Sequence, residues 1–248
     1  MEAQQYLARF TTTVPNEVSL PILTMLQHQH LQHIPFENLD VIRKTPIYLN
    51  LQRIFTKVVD NHRGGYCYEL NGLFHWLLTE LGFTAHLVAA TVLRPNGEWA
   101  KAETHAAILV QLDVPYLVDV GFGAATPRTP IPLDGSERTD SNGTYKVSSI
   151  GGQTFDLTQE NEGGNRTLYR FNTDKKKLID FHEGCVFNQV SKESTFTHID
   201  IVSRATQTGR ITLADQTLTT VENGVQTSKE LSIEEKAYTL QNVFKLHI

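Results

Sequence analysis

From Cys67 onward the apolar side chains Leu70, Leu73, Phe74, Leu77, Leu78 and Leu81 recur at the i, i+3, i+4, i+7 spacing of an amphipathic helix, and Gly82 follows in the favoured C-terminal position. From Thr84 the pattern changes. Ala85–Leu93, Thr104–Leu112 and Tyr116–Val120 are short runs rich in β-branched residues, separated by Pro, Gly and Asp signals. Cys67 starts the helix, on or beside the face that looks inward. A thiol there feels unpaired backbone N–H groups and the positive end of the helix dipole, both of which favour thiolate. Gly64 and Gly65 leave the backbone before it bare, so that another group can approach closely. A buried structural cysteine at a helix start fits this stretch equally well.

The chain before this helix also reads as helical. Glu2 to Phe10 forms a short helix, and Ser19 caps a second from Leu20 towards His33, with Pro21 tolerated in its first turn and Pro35 forbidding continuation. Asn50 caps a third from Leu51 to Asp60. Such helices pack as a bundle. Beyond the first strands come weaker ones near Thr144–Ile150, Thr154–Thr158 and Thr167–Phe171, with turns at Asn142-Gly143 and Gly151-Gly152 and a polar surface loop at Gln159–Arg166. This section reads as a small antiparallel sheet or barrel. The last third holds strands at about Thr195–Ser203, Arg210–Leu213, Gln216–Val221 and Val225–Ser228, with a hairpin turn at Asn223-Gly224. A final helix starts at Ser232, where Ser232 and Glu235 form a capping box, and buries Ile233, Ala237, Leu240, Val243 and Phe244. Helices, then strands, then mixed elements describe an α+β protein.

A chain of 248 residues has ample length for a core, and a net charge of −5 argues against a sequence-general nucleic-acid binder. No apolar run approaches the roughly 18–20 residues of a membrane span, and the N-terminus lacks a basic segment followed by an apolar one. Cys67 and Cys185 lie far apart with no CxxC spacing, so neither a disulfide framework nor a cysteine-built zinc site is expected, and a reducing cytoplasm is the simplest compartment. Cys185 falls in a predicted strand and reads as a packed thiol. Of His28, His30 and His33 only the last two share a helix face, and no carboxylate completes a metal set.

A nucleophilic cysteine needs a base, and the base an orienting group. His105 and Asp119 lie on or near adjacent strands whose hairpin turns around Asp113 and Val114. If Gln111 faces Pro115, His105 lies opposite Gly121 and Asp119 is its diagonal neighbour on the same face. A two-residue turn pairing Leu112 with Pro115 puts the two on opposite faces. Asp119 also interrupts the apolar run Tyr116, Leu117, Val118, Val120, where a buried carboxylate is costly unless paired. The order Cys, His, Asp is that of the papain-like and transglutaminase-like thiol enzymes.

Four motifs together resemble the arylamine N-acetyltransferase family: His33-Ile-Pro-Phe-Glu-Asn-Leu39, Arg63-Gly-Gly-Tyr-Cys-Tyr-Glu-Leu-Asn71, Thr104-His105 leading a hydrophobic strand, and Asp119-Val-Gly-Phe-Gly123. The resemblance spans at least residues 30–125. It implies a helical bundle over 1–83 carrying the nucleophile, a β-barrel-like domain over 84–190 carrying His and Asp, and an α/β lid over 191–248. It implies Cys67 as acetyl-accepting nucleophile, His105 as its base and Asp119 as orienting carboxylate. Acetyl-CoA is the implied donor, with coenzyme contacts at Gly121, Gly123 and Thr104 and no metal. The implied acceptor is an arylamine, arylhydrazine or hydrazide, its pocket lined by Phe36 and Phe122, in a xenobiotic-metabolising reaction.

The departures are few. Tyr66 and Tyr68 flank the cysteine where phenylalanine is frequent, and the sequence ends at Ile248 without the longer tail some relatives use near the coenzyme. Arg63 and Glu37 are expected to form a partly buried ion pair tying the Ile-Pro-Phe-Glu-Asn loop to the catalytic turn. A thiol hydrolase or transglutaminase-like amidase would share the triad and differ in acceptor. A catalytically idle binding module would need a broken one.

Overall fold

Phe83 returns its N–H to the Leu78 carbonyl at 2.9 Å and Gly82 takes φ +88°, so the helix that begins at Cys67 stops where its glycine predicts. The computed structural model describes residues 1–11, 17–161 and 163–246. Its first part holds α1 (Ala3–Leu7), α2 (Leu20–His33), β1 (Phe36–Glu37), α3 (Leu39–Ile42), α4 (Leu51–Phe55) and α5 (Cys67–Glu80). α2 starts behind Ser19, although Ser19 Oγ donates to Glu17 and does not cap the helix. Asn50 does cap α4, accepting the Arg53 N–H at 3.0 Å. Beyond Phe55 the predicted helix continues as a wider π turn, Thr56–Asp60.

The strands β2 (Thr84–Val92), β3 (His105–Gln111), β4 (Pro115–Val118), β5 (Ile131–Pro132), β6 (Arg138–Asp140), β7 (Gly143–Gly151), β8 (Thr154–Asn161) and β9 (Gly164–Asn172) form one nearly closed antiparallel sheet, ordered β5-β4-β3-β2-β9-β8-β7-β6. β2 and β3 are buried on both faces. Leu87, Ala89, Ala106, Ile108 and Val110 pack with the helices, while Val88, Ala90, Ala107 and Leu109 pack inside the barrel with Leu117, Tyr145 and Tyr169. This double burial is why their sequence runs apolar without alternation. Each fully buried Leu, Ile or Val side chain there is worth about 1.5–3 kcal/mol over exposure.

The expected surface loop at Gln159–Arg166 is instead the end of β8 and the start of β9, position 162 lying outside the described residues. Gln159 is buried, and its amide donates to the Asn142 carbonyl at 2.7 Å and to Tyr145 Oη at 2.9 Å. Polarity alone misplaced it.

Then come α6 (His182–Val190), β10 (Ile201–Ala205), β11 (Gly209–Ala214), β12 (Thr217–Glu222), β13 (Val225–Glu230) and α7 (Ile233–Asn242). Cys185 therefore sits in a helix, not the predicted strand, and the strand expected at Thr195–Ser203 starts only at Ile201, after a short helical turn at Thr195–Thr197. The second sheet runs β1-β10-β11-β12-β13, so β1 from the helical part pairs with β10, Phe36 opposite Ser203. Asn223 and Gly224 turn the last hairpin with φ +51° and +81°. Ser232 Oγ caps α7 by accepting the Glu235 N–H at 3.2 Å. The helix rests only on its C-terminal half: Leu240 and Phe244 are buried beside Leu213 and Leu231, whereas Ala237 is exposed and Ile233 is 77% exposed. No described helix is long and apolar enough to cross a membrane.

Candidate active site

The register of β3 and β4 decides whether a base and its orienting group can meet. Gln111 pairs with Pro115 and Ile108 with Val118, the first of the two registers considered. Asp119, just past β4, then lies on the face of His105, and His105 Nε2 stands 2.7 Å from Asp119 Oδ2. Both residues are buried.

Asp119 is cradled on every side. Its Oδ2 also accepts the Tyr169 hydroxyl at 3.0 Å, and its Oδ1 accepts Asn71 Nδ2 at 2.9 Å and the Gly121 N–H at 2.7 Å. Four donors make this buried carboxylate affordable as an anion. Asn71 further donates to the Ala106 carbonyl at 2.7 Å and accepts the Val120 N–H at 2.9 Å, stitching α5 to the first residues of β3 and the end of β4. Gly121 sits so close to the helix start that an added Cβ would lie 2.7 Å from Cys67 Cα. Only glycine permits that approach.

Cys67 opens α5 with its sulfur against the start of β3, 4.0 Å from the Thr104 carbonyl. Burial works against the thiolate that the helix start favours. Desolvation pushes the thiol pKa up and the Asp119 charge adds to it, while the N–H groups of Ala106 and Tyr68 pull the other way. His105 lines the same cavity as Cys67.

That cavity encloses about 390 Å³. Of the residues singled out from the sequence, Cys67, His105, Thr104, Gly121, Gly123, Phe36 and Phe122 all line it, and Asp119 lies behind His105. Phe122 and Tyr169 each hold a ring about 5 Å from the imidazole, at 5.1 and 5.0 Å between centroids. Sequence reasoning did not assign roles to Asn71, Tyr169, Phe187, Asn188 or Phe196. Asn71 had a signal: it falls one helical turn after Cys67, a polar residue amid an apolar stripe.

The Arg63–Glu37 pair is present at 2.8 Å and is part of something larger. Arg63 also meets Asp40 at 2.9 Å, while Lys57 meets Asp40 at 2.8 Å and Glu69 at 2.9 Å. Although burial opposes it, Glu37 and Asp40 hold the Arg63 pKa above its ordinary value. Glu69 closes the network onto the start of α5 by accepting the Tyr66 N–H at 3.1 Å, directly before Cys67. The Glu37 N–H donates to the Gly65 carbonyl at 2.8 Å, so this loop and the turn before Cys67 are joined by backbone as well. In α2, His30 is buried with Nε2 2.7 Å from Tyr6 Oη, and among the described residues no three His, Cys, Asp or Glu side chains gather as a metal-binding group.

A family model described as N-acetyltransferase matches residues 19–248. The arylamine N-acetyltransferase of Mycolicibacterium smegmatis is 32% identical over 231 residues, covering 90% of this chain and 84% of that protein. The chain belongs to the arylamine N-acetyltransferase family. As an arylamine N-acetyltransferase it is an acyltransferase, and its likeness extends to the enzyme of Escherichia coli (strain K12), 32% identical over 222 residues, with 88% of this chain and 79% of that one covered. The Bacillus cereus arylamine N-acetyltransferase structure, which has a Cys-His-Glu catalytic triad, superposes with a TM-score of 0.92 at 25% identity, over 99% of this chain and 98% of that one. Here the carboxylate on the histidine is an aspartate. The Mycobacterium marinum arylamine N-acetyltransferase, solved in complex with CoA, gives a TM-score of 0.91 at 29% identity over 99% and 93% of the two chains.

Proposed function

We propose that this chain transfers the acetyl group of acetyl-CoA to the nitrogen of an arylamine, arylhydrazine or hydrazide, in two half-reactions through acetyl-Cys67. The observation that carries this reading is the buried hydrogen bond between His105 and Asp119 beside Cys67, at the wall of an apolar cavity. With Nε2 engaged by Asp119, the other ring nitrogen, Nδ1, is the one left to take the Cys67 proton.

In the first half-reaction the thiolate attacks the thioester carbonyl. The bond from the acetyl carbon to the coenzyme sulfur breaks, and CoA leaves with the proton returned by imidazolium. Thioester exchanges for thioester, so this step is near-isoenergetic. In the second, the amine nitrogen attacks acetyl-Cys67, His105 takes its proton as the tetrahedral intermediate collapses, and Cys67 is released. Aromatic amines are weak bases and arrive with the lone pair free. The Cys67 backbone N–H, in the first turn of α5, is a candidate donor to the oxyanion. Residues 1–83 then supply the nucleophile, 84–190 its base and orienting group, and 191–248 a lid, with Gly121, Gly123 and Thr104 towards the coenzyme and Phe36 and Phe122 towards the acceptor.

An apolar cavity disfavours water as the acceptor and so separates this reading from a thiol hydrolase. The test is to acetylate the protein, remove free acetyl-CoA by gel filtration, and add 4-methoxyaniline. Formation of the N-acetyl product in one equivalent is expected; release of acetate with the amine untouched would favour the hydrolase.

A further inference from the structure

Tyr66 and Tyr68 flank the nucleophile, both fully buried, and neither lines the cavity. Their hydroxyls turn to α6 instead. Tyr66 Oη lies 2.8 Å from Cys185 Sγ, and Asn188 Nδ2 donates to Tyr68 Oη at 3.4 Å and to the Thr104 carbonyl at 3.1 Å. Gly184 comes so near that an added Cβ would lie 2.5 Å from Tyr68 Oη and 2.9 Å from the Glu103 carbonyl. One turn beyond Cys185, α6 is also tied to the chain before α4, where Gln189 accepts the Ile47 N–H at 2.7 Å.

What α6 carries gives this contact its consequence. Phe187 and Asn188 line the cavity, and Ser194 Oγ donates to the Asn188 carbonyl at 3.3 Å, so the lining segment Glu193–Phe196 is tied to the helix. We propose that the hydroxyls of Tyr66 and Tyr68 are positioning groups for acceptor specificity: by seating α6 against the turn of Cys67 they set how far its wall stands from the sulfur, and so which amines fit. A buried phenol whose partners lie on one helix is satisfied only while that helix keeps its place, and an unmade bond there is costly. Attack on an acetyl-cysteine is sensitive to displacements of about 1 Å, so a small tilt of this wall acts on the second half-reaction. The proposal rests on the reading of the cavity as an amine-acceptor site.

The double variant Tyr66→Phe/Tyr68→Phe keeps both rings and removes both hydroxyls. Two rates are needed: single-turnover CoA release on mixing with acetyl-CoA, and kcat/KM for aniline and for the bulkier 2-aminofluorene. The ratio of the two acceptor values should change by at least about fivefold while CoA release stays within about twofold of wild type. Gly184→Ala, whose methyl would press on the Tyr68 hydroxyl and the Glu103 carbonyl and so displace α6, should shift the same ratio, and adding Tyr68→Phe to it should reduce that shift. An unmoved acceptor ratio, an equal fall in both half-reactions, or no coupling between positions 184 and 68 would overturn the proposal. Wild-type protein that takes no acetyl group on Cys67 would overturn the functional reading with it; acetylation with an unmoved ratio overturns this proposal alone.

Discussion

Tyr169 and His105 share one oxygen atom: the tyrosine hydroxyl donates to Asp119 Oδ2 at 3.0 Å, and His105 Nε2 stands 2.7 Å from the same atom. The two contacts hold Oδ2 between the imidazole and the phenol and fix the carboxylate in place. The tyrosine ring, 5.0 Å from the imidazole, also limits where that ring can turn.

Tyr169→Phe keeps the ring contact and removes only the donor. Acetyl transfer should fall about tenfold at unchanged thermal stability. A rate that matches wild type would show the hydroxyl to be packing alone.

Asp119→Asn tests the carboxylate itself. An amide cannot accept from His105 and Tyr169 on one side and from Asn71 and Gly121 on the other without turning an N–H towards a donor. Steady-state acetyl transfer should fall about 10³–10⁴-fold while the circular dichroism spectrum is retained.

Arg63→Met leaves Glu37, which is fully buried, with Lys57 3.8 Å away as its nearest remaining cation. Removing one partner of a buried pair costs about 3–5 kcal/mol, read from urea unfolding, and the loss of the tie to the catalytic turn should lower activity as well. Unchanged stability and activity would show these charges to be idle.

His30 sets part of the acid limit of the fold. Burial first, then the Arg9 charge, lowers its pKa from 6.5 to about 3. The unfolded chain therefore takes up this proton near pH 6.5 while the folded one refuses it, so the stability gained from a neutral His30 is full above 6.5 and is lost as pH falls towards 3. Between about pH 7 and about pH 5 that loss is ~2 kcal/mol, and the His30→Asn variant should lose that much less over the same interval. Equal pH slopes in urea unfolding would contradict the assignment.

The helix at Cys67 was legible because it rests on a local rule, an apolar stripe ended by glycine, whereas strand parity reduced the meeting of His105 and Asp119 to two registers and the pairing of Gln111 with Pro115 chose between them. What was not legible depends on distant pairings or on polar residues buried in company. β9 reaches β2 only through the closing of the sheet, so nothing local marks Tyr169 as the neighbour of Asp119. Gln159 looks like a surface residue until Asn142, Tyr145 and Arg166 gather around it. α6 inverts the usual pattern, exposing Val186 and Val190 while burying Asn188, and so hides from a reading that places apolar side chains inward.

Acetyl transfer through Cys67 is read out by intact-mass measurement after incubation with acetyl-CoA and no amine. One acetyl group should appear on the wild-type chain, disappear on adding 4-methoxyaniline, and be absent from Cys67→Ala. A wild-type mass that stays unmodified, or an acetyl group that persists in Cys67→Ala, would contradict it.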